Sequence, residues 1–259
     1  MHVSGEAIPG GVEAIARLRD EGHRLRFVTN NTTRARSQLG ADLRSLGFDL
    51  AEEEIETTPL AAGKLLAGSR VLALTMTAIR DDLALHVELV EERADVVLVG
   101  GADETEETSR VFAWERLNRA YAELRGGARL VCLHKNRWWQ TTLGPLLDAG
   151  AFVAGLEYAA GVDAEVVGKP SRAYFEAALA ALDARAEEAT MVGDDVESDV
   201  CAAKELGLRG VLVRTGKFGE DSLATAACSP DAVLDSLAEL PDWLSAGAES
   251  AAVESSVGE

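Results

Sequence analysis

Apolar residues recur at helical spacing in some segments of this chain and form short uninterrupted runs in others. Residues 11–20 place apolar side chains three or four positions apart, which predicts a helix that stops at Gly22. Residues 23–28 end in an apolar run and predict a strand, and a second amphipathic helix follows as far as Gly47. This alternation of helix and strand is typical of a parallel α/β sheet.

The pattern changes after Pro59 and returns at Glu165. Between these positions we predict strands at 71–75, 95–99 and 129–133, a long helix at 107–124 and an apolar segment around 152–158. From Glu165 onward we predict a strand to Val167, a helix at 171–182, strands at 190–192 and 210–213, and a last helix at 232–244. The inserted segment, of roughly 100 residues, has the size of a domain.

We therefore predict an α/β protein whose Rossmann-like parallel sheet core is interrupted by an inserted α/β cap domain. The core would comprise residues 1–58 and 164–244, and the cap residues 59–163. Residues 245–259 are small, acidic and aperiodic, and we expect them to form a disordered tail.

Three carboxylates follow the predicted strand at 190–192. The strand stops at Gly193, and Asp194, Asp195 and Asp199 come directly after it. Ligands bind open α/β sheets at the carboxyl ends of their strands, and clustered carboxylates repel one another unless a cation such as Mg²⁺ neutralises them. The alternative is a solvated acidic turn that caps a helix.

Two other strand ends carry groups that bind phosphate. Thr29 offers a hydroxyl, and the backbone N–H groups after it open a helix. Lys169 stands between the strand that ends at Val167 and a helix start at Ser171. Taken singly, Thr29 is also compatible with a simple turn and Lys169 with a solvated charge, but their coincidence with the carboxylates favours a functional site.

The composition of the chain limits the kinds of binding partner that we expect. A formal net charge of −19 argues against nucleic acid and anionic membranes, which both need basic surfaces. This charge fits either a salt-adapted surface or an ordinary acidic protein. The cysteines at 132, 201 and 228 are scattered, so we expect unpaired thiols and a cytoplasmic location, and no segment approaches the length of a membrane span.

The ordered motifs resemble those of the haloacid dehalogenase superfamily, in the subfamily that carries a type-two α/β cap. The matching stretches are residues 27–31 (FVTNN), 165–170 (EVVGKP), 191–195 (MVGDD) with Asp199, and 213–218 (VRTGKF). The cap segments 134–139 (HKNRWW) and 155–158 (GLEY) look most like the branch of phospholysine phosphohistidine inorganic pyrophosphate phosphatases. The resemblance covers almost the whole chain, from Glu6 to Leu244.

The resemblance implies Mg²⁺-dependent hydrolysis of a small phosphorylated substrate through an aspartyl-phosphate. Thr29, with the amide of Asn30, would bind the phosphoryl group, and Lys169 would neutralise its charge. Asp194 would ligate Mg²⁺, with Asp195 and Asp199 beside it. Asn31, Lys135 and Arg137 are further candidates for substrate binding, although a solvated basic turn is an equally good interpretation of the last two. The resemblance also allows a homodimer formed through the cap.

One expected motif is absent. The family's nucleophile lies in an Asp-x-Asp-Gly motif at the end of the first strand, but this chain contains no Asp before Asp20. A misplaced start, with the true protein beginning some 10–20 residues upstream, would explain this, because losing a central strand would expose two unpaired edges. The alternative is a non-catalytic phosphate-binding protein.

Overall fold

Two units, each assembled from separate stretches of chain, make up the protein in the computed structural model, which describes residues 1–3, 6–141 and 144–246. The first unit comprises Met1–Arg26, Ala41–Ala51 and the chain from Leu179 onward, and the second comprises Phe27–Gly40 and Glu52–Ala178. The predicted tail falls mostly on residues 247–259, which lie outside the described residues.

Strands and helices alternate through most of the chain. The strands are β1 (His2–Val3), β2 (Glu6–Ala7), β3 (Phe27–Thr29), β4 (Ile55–Thr57), β5 (Arg70–Leu74), β6 (Glu88–Leu89), β7 (Val96–Val99), β8 (Arg129–Cys132), β9 (Trp138–Thr141), β10 (Gly144–Leu147), β11 (Glu165–Val166), β12 (Thr190–Gly193), β13 (Arg209–Val213) and β14 (Ala232–Leu234). The α-helices are α1 (Gly11–Asp20), α2 (Arg36–Ser45), α3 (Thr58–Leu65), α4 (Arg80–Ala84), α5 (Glu106–Val111), α6 (Trp114–Arg125), α7 (Ala149–Ala160), α8 (Arg172–Leu182), α9 (Ala202–Glu205), α10 (Glu220–Ala224) and a helical segment at 240–246.

The second unit contains a parallel sheet with the strand order β11-β8-β7-β5-β6. The apolar runs of β5 and β7 are buried on both faces, as expected for a parallel sheet covered by helices. Successive side chains of a strand point to opposite faces, so Leu72 and Val97 join one apolar cluster with α6 and α7, whereas Val71 and Val96 join another with α3 and α4. Beside this sheet, β3 and β4 form a separate parallel pair that ends at Thr29 and Thr57.

The first unit contains the parallel sheet β12-β13-β14 and the hairpin β1–β2. A π-helical turn, Val196–Cys201, follows β12 and leads into α9. This arrangement places Asp194, Asp195 and Asp199 after the carboxyl end of β12, which is the position that the sequence pattern predicts.

Two of the helix predictions are wrong. The helix expected at 107–124 is divided into α5 and α6, because Ala113 is extended and Phe112 turns aside to stack on Phe152 at 3.8 Å between ring centroids. The helix expected at 232–244 begins instead as strand β14, whose Val233 pairs with Leu212. A 3₁₀ turn at Leu237–Glu239 then precedes the helical segment at 240–246.

The expectation of unpaired thiols is also wrong for two of the cysteines. Cys201 and Cys228 form a disulfide across a sequence separation of 27 residues. Cys132 is a free, buried thiol, and burial raises its pKa to about 11. Within the described ranges, no helix has both the length and the apolar character needed to cross a membrane.

Candidate active site

The backbone at the end of β3 is held by a buried tyrosine. The hydroxyl of Tyr174 accepts a hydrogen bond from the backbone N–H of Thr29 at 2.9 Å. The same hydroxyl lies 2.8 Å from the carbonyl oxygen of Thr29 and 2.7 Å from that of Glu56, and its single proton is shared between them. Tyr174 is fully buried, so these contacts fix the ends of β3 and β4 together.

The loop after Thr29 is organised by its own side chains. The Thr29 hydroxyl accepts a hydrogen bond from the backbone N–H of Asn31 at 3.1 Å, which leaves the hydroxyl proton able to bind another acceptor. The carboxamide oxygen of Asn31 accepts from the N–H groups of Thr33 and Arg34. The side chain of Asn31, predicted to bind substrate, is therefore engaged in shaping this loop.

Asn30 and Lys169 are joined although 139 residues separate them. Nδ2 of Asn30 donates to the carbonyl oxygen of Lys169 at 2.9 Å, and Oδ1 accepts from the backbone N–H of Lys169 at 2.9 Å. The second unit thus brings Thr29, Asn30 and Lys169 of the predicted site into one cluster, which we call the phosphate-loop cluster.

The three predicted carboxylates lie together in the first unit and form what we call the acidic cluster. Oδ2 of Asp194 accepts a hydrogen bond from the backbone N–H of Lys217 at 2.8 Å. Asp195 caps the π-helical turn, with Oδ1 accepting from the N–H of Ser198 at 3.0 Å. Asp199 is buried, and its Oδ2 accepts from the N–H of Asp195 at 3.3 Å.

Local interactions keep Asp195 ionised. Burial by itself would raise the pKa of this carboxyl, but the hydrogen bonds from Ser198 and the positive charge of Lys217 outweigh burial and hold the pKa below its usual value. Nζ of Lys217 lies 3.8 Å from Oδ2 of Asp195. At neutral pH the side chain of Asp195 therefore presents charged oxygen atoms to its surroundings.

A cleft of about 230 Å³ opens beside these carboxylates within the first unit. Its walls include Asp194, Asp195, Glu197, Lys217, Phe218 and Ser222. The donor set is made of hard oxygen atoms, which is what Mg²⁺ prefers. In the described part of the chain, however, no three His, Cys, Asp or Glu side chains converge closely enough to hold a metal by themselves. Each of the three carboxylates accepts a hydrogen bond from a backbone N–H group, but only Asp194 and Asp195 of the three line the cleft, so these two are the candidate metal ligands.

Gly193 allows Asp199 to approach β12 closely. A Cβ atom at Gly193 would lie 2.2 Å from Oδ2 and 2.5 Å from Cβ of Asp199. Since the Cβ atom of Asp199 is fixed by the π-helical turn, the clash cannot be relieved by rotating the side chain alone.

We therefore expect Gly193→Ala to lower the free energy of unfolding by about 1–3 kcal/mol, in the range of an overpacked interior. Urea denaturation measures the change. Gly219→Ala is the matched control, because its Cβ would come no closer than 3.4 Å to a neighbouring atom, the Oγ of Ser222. A Gly193→Ala variant as stable as the control would refute the close approach.

The two basic residues of the predicted cap, Lys135 and Arg137, have different environments. Nζ of Lys135 forms an ion pair with Glu157 at 2.7 Å, whereas Arg137 is exposed in the segment before β9. Both lie in the second unit, and their role in substrate binding stays a prediction.

Sequence reasoning missed three contributors. Tyr174 gave no pattern beyond an apolar helix position, and the carboxamide of Asn30 could not be matched with Lys169 from spacing. Lys217 is not among the predicted site residues, and its side chain is 74% exposed, but its backbone N–H donates to Asp194. The preceding glycine was the available signal, since Gly216 has a φ of +61° and a Cβ there would collide with Asp194.

Comparison with known proteins decides the family. A model of haloacid dehalogenase-like hydrolases matches residues 1–87, and a HAD-hydrolase-like model matches residues 166–240. Phospholysine phosphohistidine inorganic pyrophosphate phosphatase from Homo sapiens is 36% identical over 244 residues, which is 93% of this chain and 87% of that protein. This chain belongs to the haloacid dehalogenase-like hydrolases.

Two solved phosphatase structures share the fold of this chain. The p-nitrophenyl phosphatase from Archaeoglobus fulgidus is 28% identical with a TM-score of 0.85, and the match covers 93% of this chain and 94% of that one. A glycerol phosphate phosphatase from Mycobacterium tuberculosis in complex with magnesium is 30% identical with a TM-score of 0.76, over 91% of this chain and 73% of that one. The predicted α/β fold class and the subfamily with the type-two cap are thereby confirmed.

Proposed function

We propose that this haloacid dehalogenase-like hydrolase is a Mg²⁺-dependent phosphatase that hydrolyses a small phosphorylated substrate through an aspartyl-phosphate. The observation that carries the proposal is the phosphate-loop cluster, in which Asn30 ties the loop carrying the Thr29 hydroxyl to the backbone of Lys169. A hydroxyl donor and an ammonium group are among the groups by which proteins bind a phosphoryl group. The three similar proteins described above are each named as phosphatases, which supports the same chemistry.

Each residue of the phosphate-loop cluster has a distinct role in this proposal. The hydroxyl proton of Thr29 and the backbone N–H of Asn30 donate to oxygens of the transferring phosphoryl group. The ammonium group of Lys169 neutralises the negative charge that the phosphoryl group and the attacking carboxylate share. These contacts accelerate the reaction mainly by positioning and by electrostatic stabilisation, since phosphoryl transfer needs little other help from the protein.

The acidic cluster is the proposed metal site. Asp194 would hold Mg²⁺ directly, and Asp195 and Asp199 would keep the surrounding potential negative and position the backbone near it. When bound, Mg²⁺ would neutralise phosphoryl oxygens and help to orient the substrate. The magnesium complex of the Mycobacterium tuberculosis phosphatase supports the choice of metal.

The proposal leaves the attacking carboxylate unassigned, because residues 1–19 contain no Asp. Burial lowers the pKa of the Met1 amino group, and attraction to Asp194 partly offsets that shift. The second candidate function, a protein that binds phosphate without hydrolysing it, needs no attacking carboxylate.

Other aspects of the proposal concern partners and location. Lys135 and Arg137 of the cap are candidates for contacting the substrate beyond its phosphate, and neither nucleic acid nor a membrane is an expected partner. A homodimer and a cytoplasmic location stay predictions. The Cys201–Cys228 disulfide argues against a strongly reducing compartment.

Hydrolysis of p-nitrophenyl phosphate tests the proposal. It should be measured with Mg²⁺ for the chain and for a version extended by the residues encoded upstream of Met1. We expect the extended protein to turn over, and we expect Asp194→Asn to lower kcat by about 10²-fold or more, as for the loss of a charge-stabilising group. Asp163→Asn, which removes an exposed carboxylate from the second unit, is the control. An extended protein that is folded yet inactive on a panel of small phosphomonoesters would reject catalysis in favour of phosphate binding alone.

A further inference from the structure

We infer that the carboxamide of Asn30 is a positioning group for Lys169, and that it does not contact the substrate. The inference rests on the proposed function and refines it, because it assigns the carboxamide of Asn30 to the backbone of Lys169 and the backbone N–H of Asn30 to the phosphate. Its basis is the reciprocal pair of hydrogen bonds, both 2.9 Å long, between one side chain and both backbone groups of Lys169.

The two bonds act as a clamp. A residue whose N–H and C=O are both bound by the same planar amide cannot rotate about φ or ψ without breaking at least one of the bonds. Lys169 is consequently ordered before any phosphate arrives. The conformational entropy of this residue is therefore lost when the protein folds, and binding of phosphate does not have to order it again.

The neighbours of Asn30 keep its amide plane in place. The Thr58 hydroxyl lies 3.4 Å from Oδ1 of Asn30 and 3.3 Å from the carbonyl oxygen of Thr29. Thr58 is fully buried, so water does not compete at this side of the amide. The clamp is thus tied to the same loop that presents the Thr29 hydroxyl.

Gly168 allows the chain before Lys169 to pass close to both Leu133 and Asn30. The N–H of Gly168 donates to the carbonyl oxygen of Leu133 at 2.9 Å. A Cβ atom at Gly168 would lie 2.5 Å from that oxygen and 3.0 Å from Oδ1 of Asn30. Any larger residue at position 168 would push the chain away from Asn30, so the two hydrogen bonds of Asn30 depend on a glycine at this position.

The chemistry of the clamp requires an amide. Asparagine both donates and accepts at the same reach, whereas aspartate only accepts and would face the Lys169 carbonyl oxygen with a negative charge. Asn30→Asp therefore keeps the shape of the side chain and loses one of the two bonds. Asn30→Ala loses both.

A double-mutant cycle in the extended protein tests whether Asn30 acts through Lys169. We expect Asn30→Ala to raise KM and lower kcat/KM for p-nitrophenyl phosphate by about 10–30-fold, since the backbone of one residue would have to be ordered on binding. We expect the same substitution to have no further effect when Lys169 is already replaced by methionine. Additive effects of the two substitutions would overturn the inference.

A second readout does not depend on activity. Reductive ¹³C-methylation labels all lysines, and the signal of Lys169 is identified by its loss in Lys169→Met. We expect Asn30→Asp and Asn30→Ala to shift and sharpen that signal while the signals of Lys64, Lys135, Lys204 and Lys217 stay in place. Asn118→Asp, on the exposed face of α6, is the control. An unchanged Lys169 signal would refute the clamp even if the protein is an active phosphatase, and an inactive protein with a shifted signal would refute only the proposed function.

Discussion

Replacing Lys169 with methionine in the extended protein is expected to lower kcat/KM for p-nitrophenyl phosphate by about 10²–10³-fold. Methionine keeps the length of the side chain and removes the charge. The loss follows from the proposed role of the ammonium group, which offsets the repulsion between the phosphoryl oxygens and the attacking carboxylate. Because Asn30 holds the backbone of Lys169, the substitution should leave the fold unchanged.

The control is Lys204→Met, the same chemical change in α9. Lys204 forms an ion pair with Asp231 at 2.6 Å and is not part of either cluster. We expect its removal to alter stability slightly and to leave kcat/KM within about twofold of the parent, in line with the small contribution of surface ion pairs. If the two methionine variants lose activity equally, Lys169 has no special role.

Loss of the Cys201–Cys228 disulfide is expected to have the largest effect on stability. The bond joins Cys201, the last residue of the π-helical turn, to Cys228 in the segment before β14, at a sequence separation of 27. Opening a loop of this length returns about 3–4 kcal/mol of conformational entropy to the unfolded chain. Cys201→Ser and Cys228→Ser should each lower the free energy of unfolding by about that amount.

Urea denaturation with and without a phosphine reductant measures this effect. The parent protein should lose stability on reduction, whereas a Cys201→Ser/Cys228→Ser double variant should be insensitive to the reductant. Cys132 provides no alternative partner, because it is a buried thiol in the apolar cluster of the second unit. A parent protein whose denaturation midpoint does not move on reduction would show that the bond makes no contribution.

Most of the fold could be predicted from the sequence, because the spacing of apolar residues that indicates strands and helices is a local property of the chain. Apolar runs such as 71–75 and 95–99, separated by helical spacing, indicate parallel strands wherever they occur. The errors arose where a tertiary contact overrode a local pattern. Phe112 leaves the helical path to stack on Phe152, and the segment at 232–234 becomes a strand because β13 offers it a hydrogen-bonding edge.

Only part of the candidate site could be predicted from the sequence. The residue types at strand ends and their resemblance to a family identified Thr29, Lys169 and Asp194. Nothing in the spacing could identify the bond between Tyr174 and Thr29 or the clamp between Asn30 and Lys169, since 145 and 139 residues separate the partners. Cys201 and Cys228 were missed for a similar reason, because their pairing depends on how the π-helical turn packs against the segment before β14.

Binding of inorganic phosphate by the chain itself tests the central claim most directly, because both the phosphatase and the binding protein require it. Calorimetric titration with Mg²⁺ present should give saturable binding at one site, weakened at least about tenfold by Thr29→Val and by Lys169→Met. Lys204→Met should bind phosphate as the parent does. If the parent protein does not bind phosphate, or if the Thr29 and Lys169 variants bind it as well as the parent, the phosphate-loop cluster is not a phosphoryl site and the account fails.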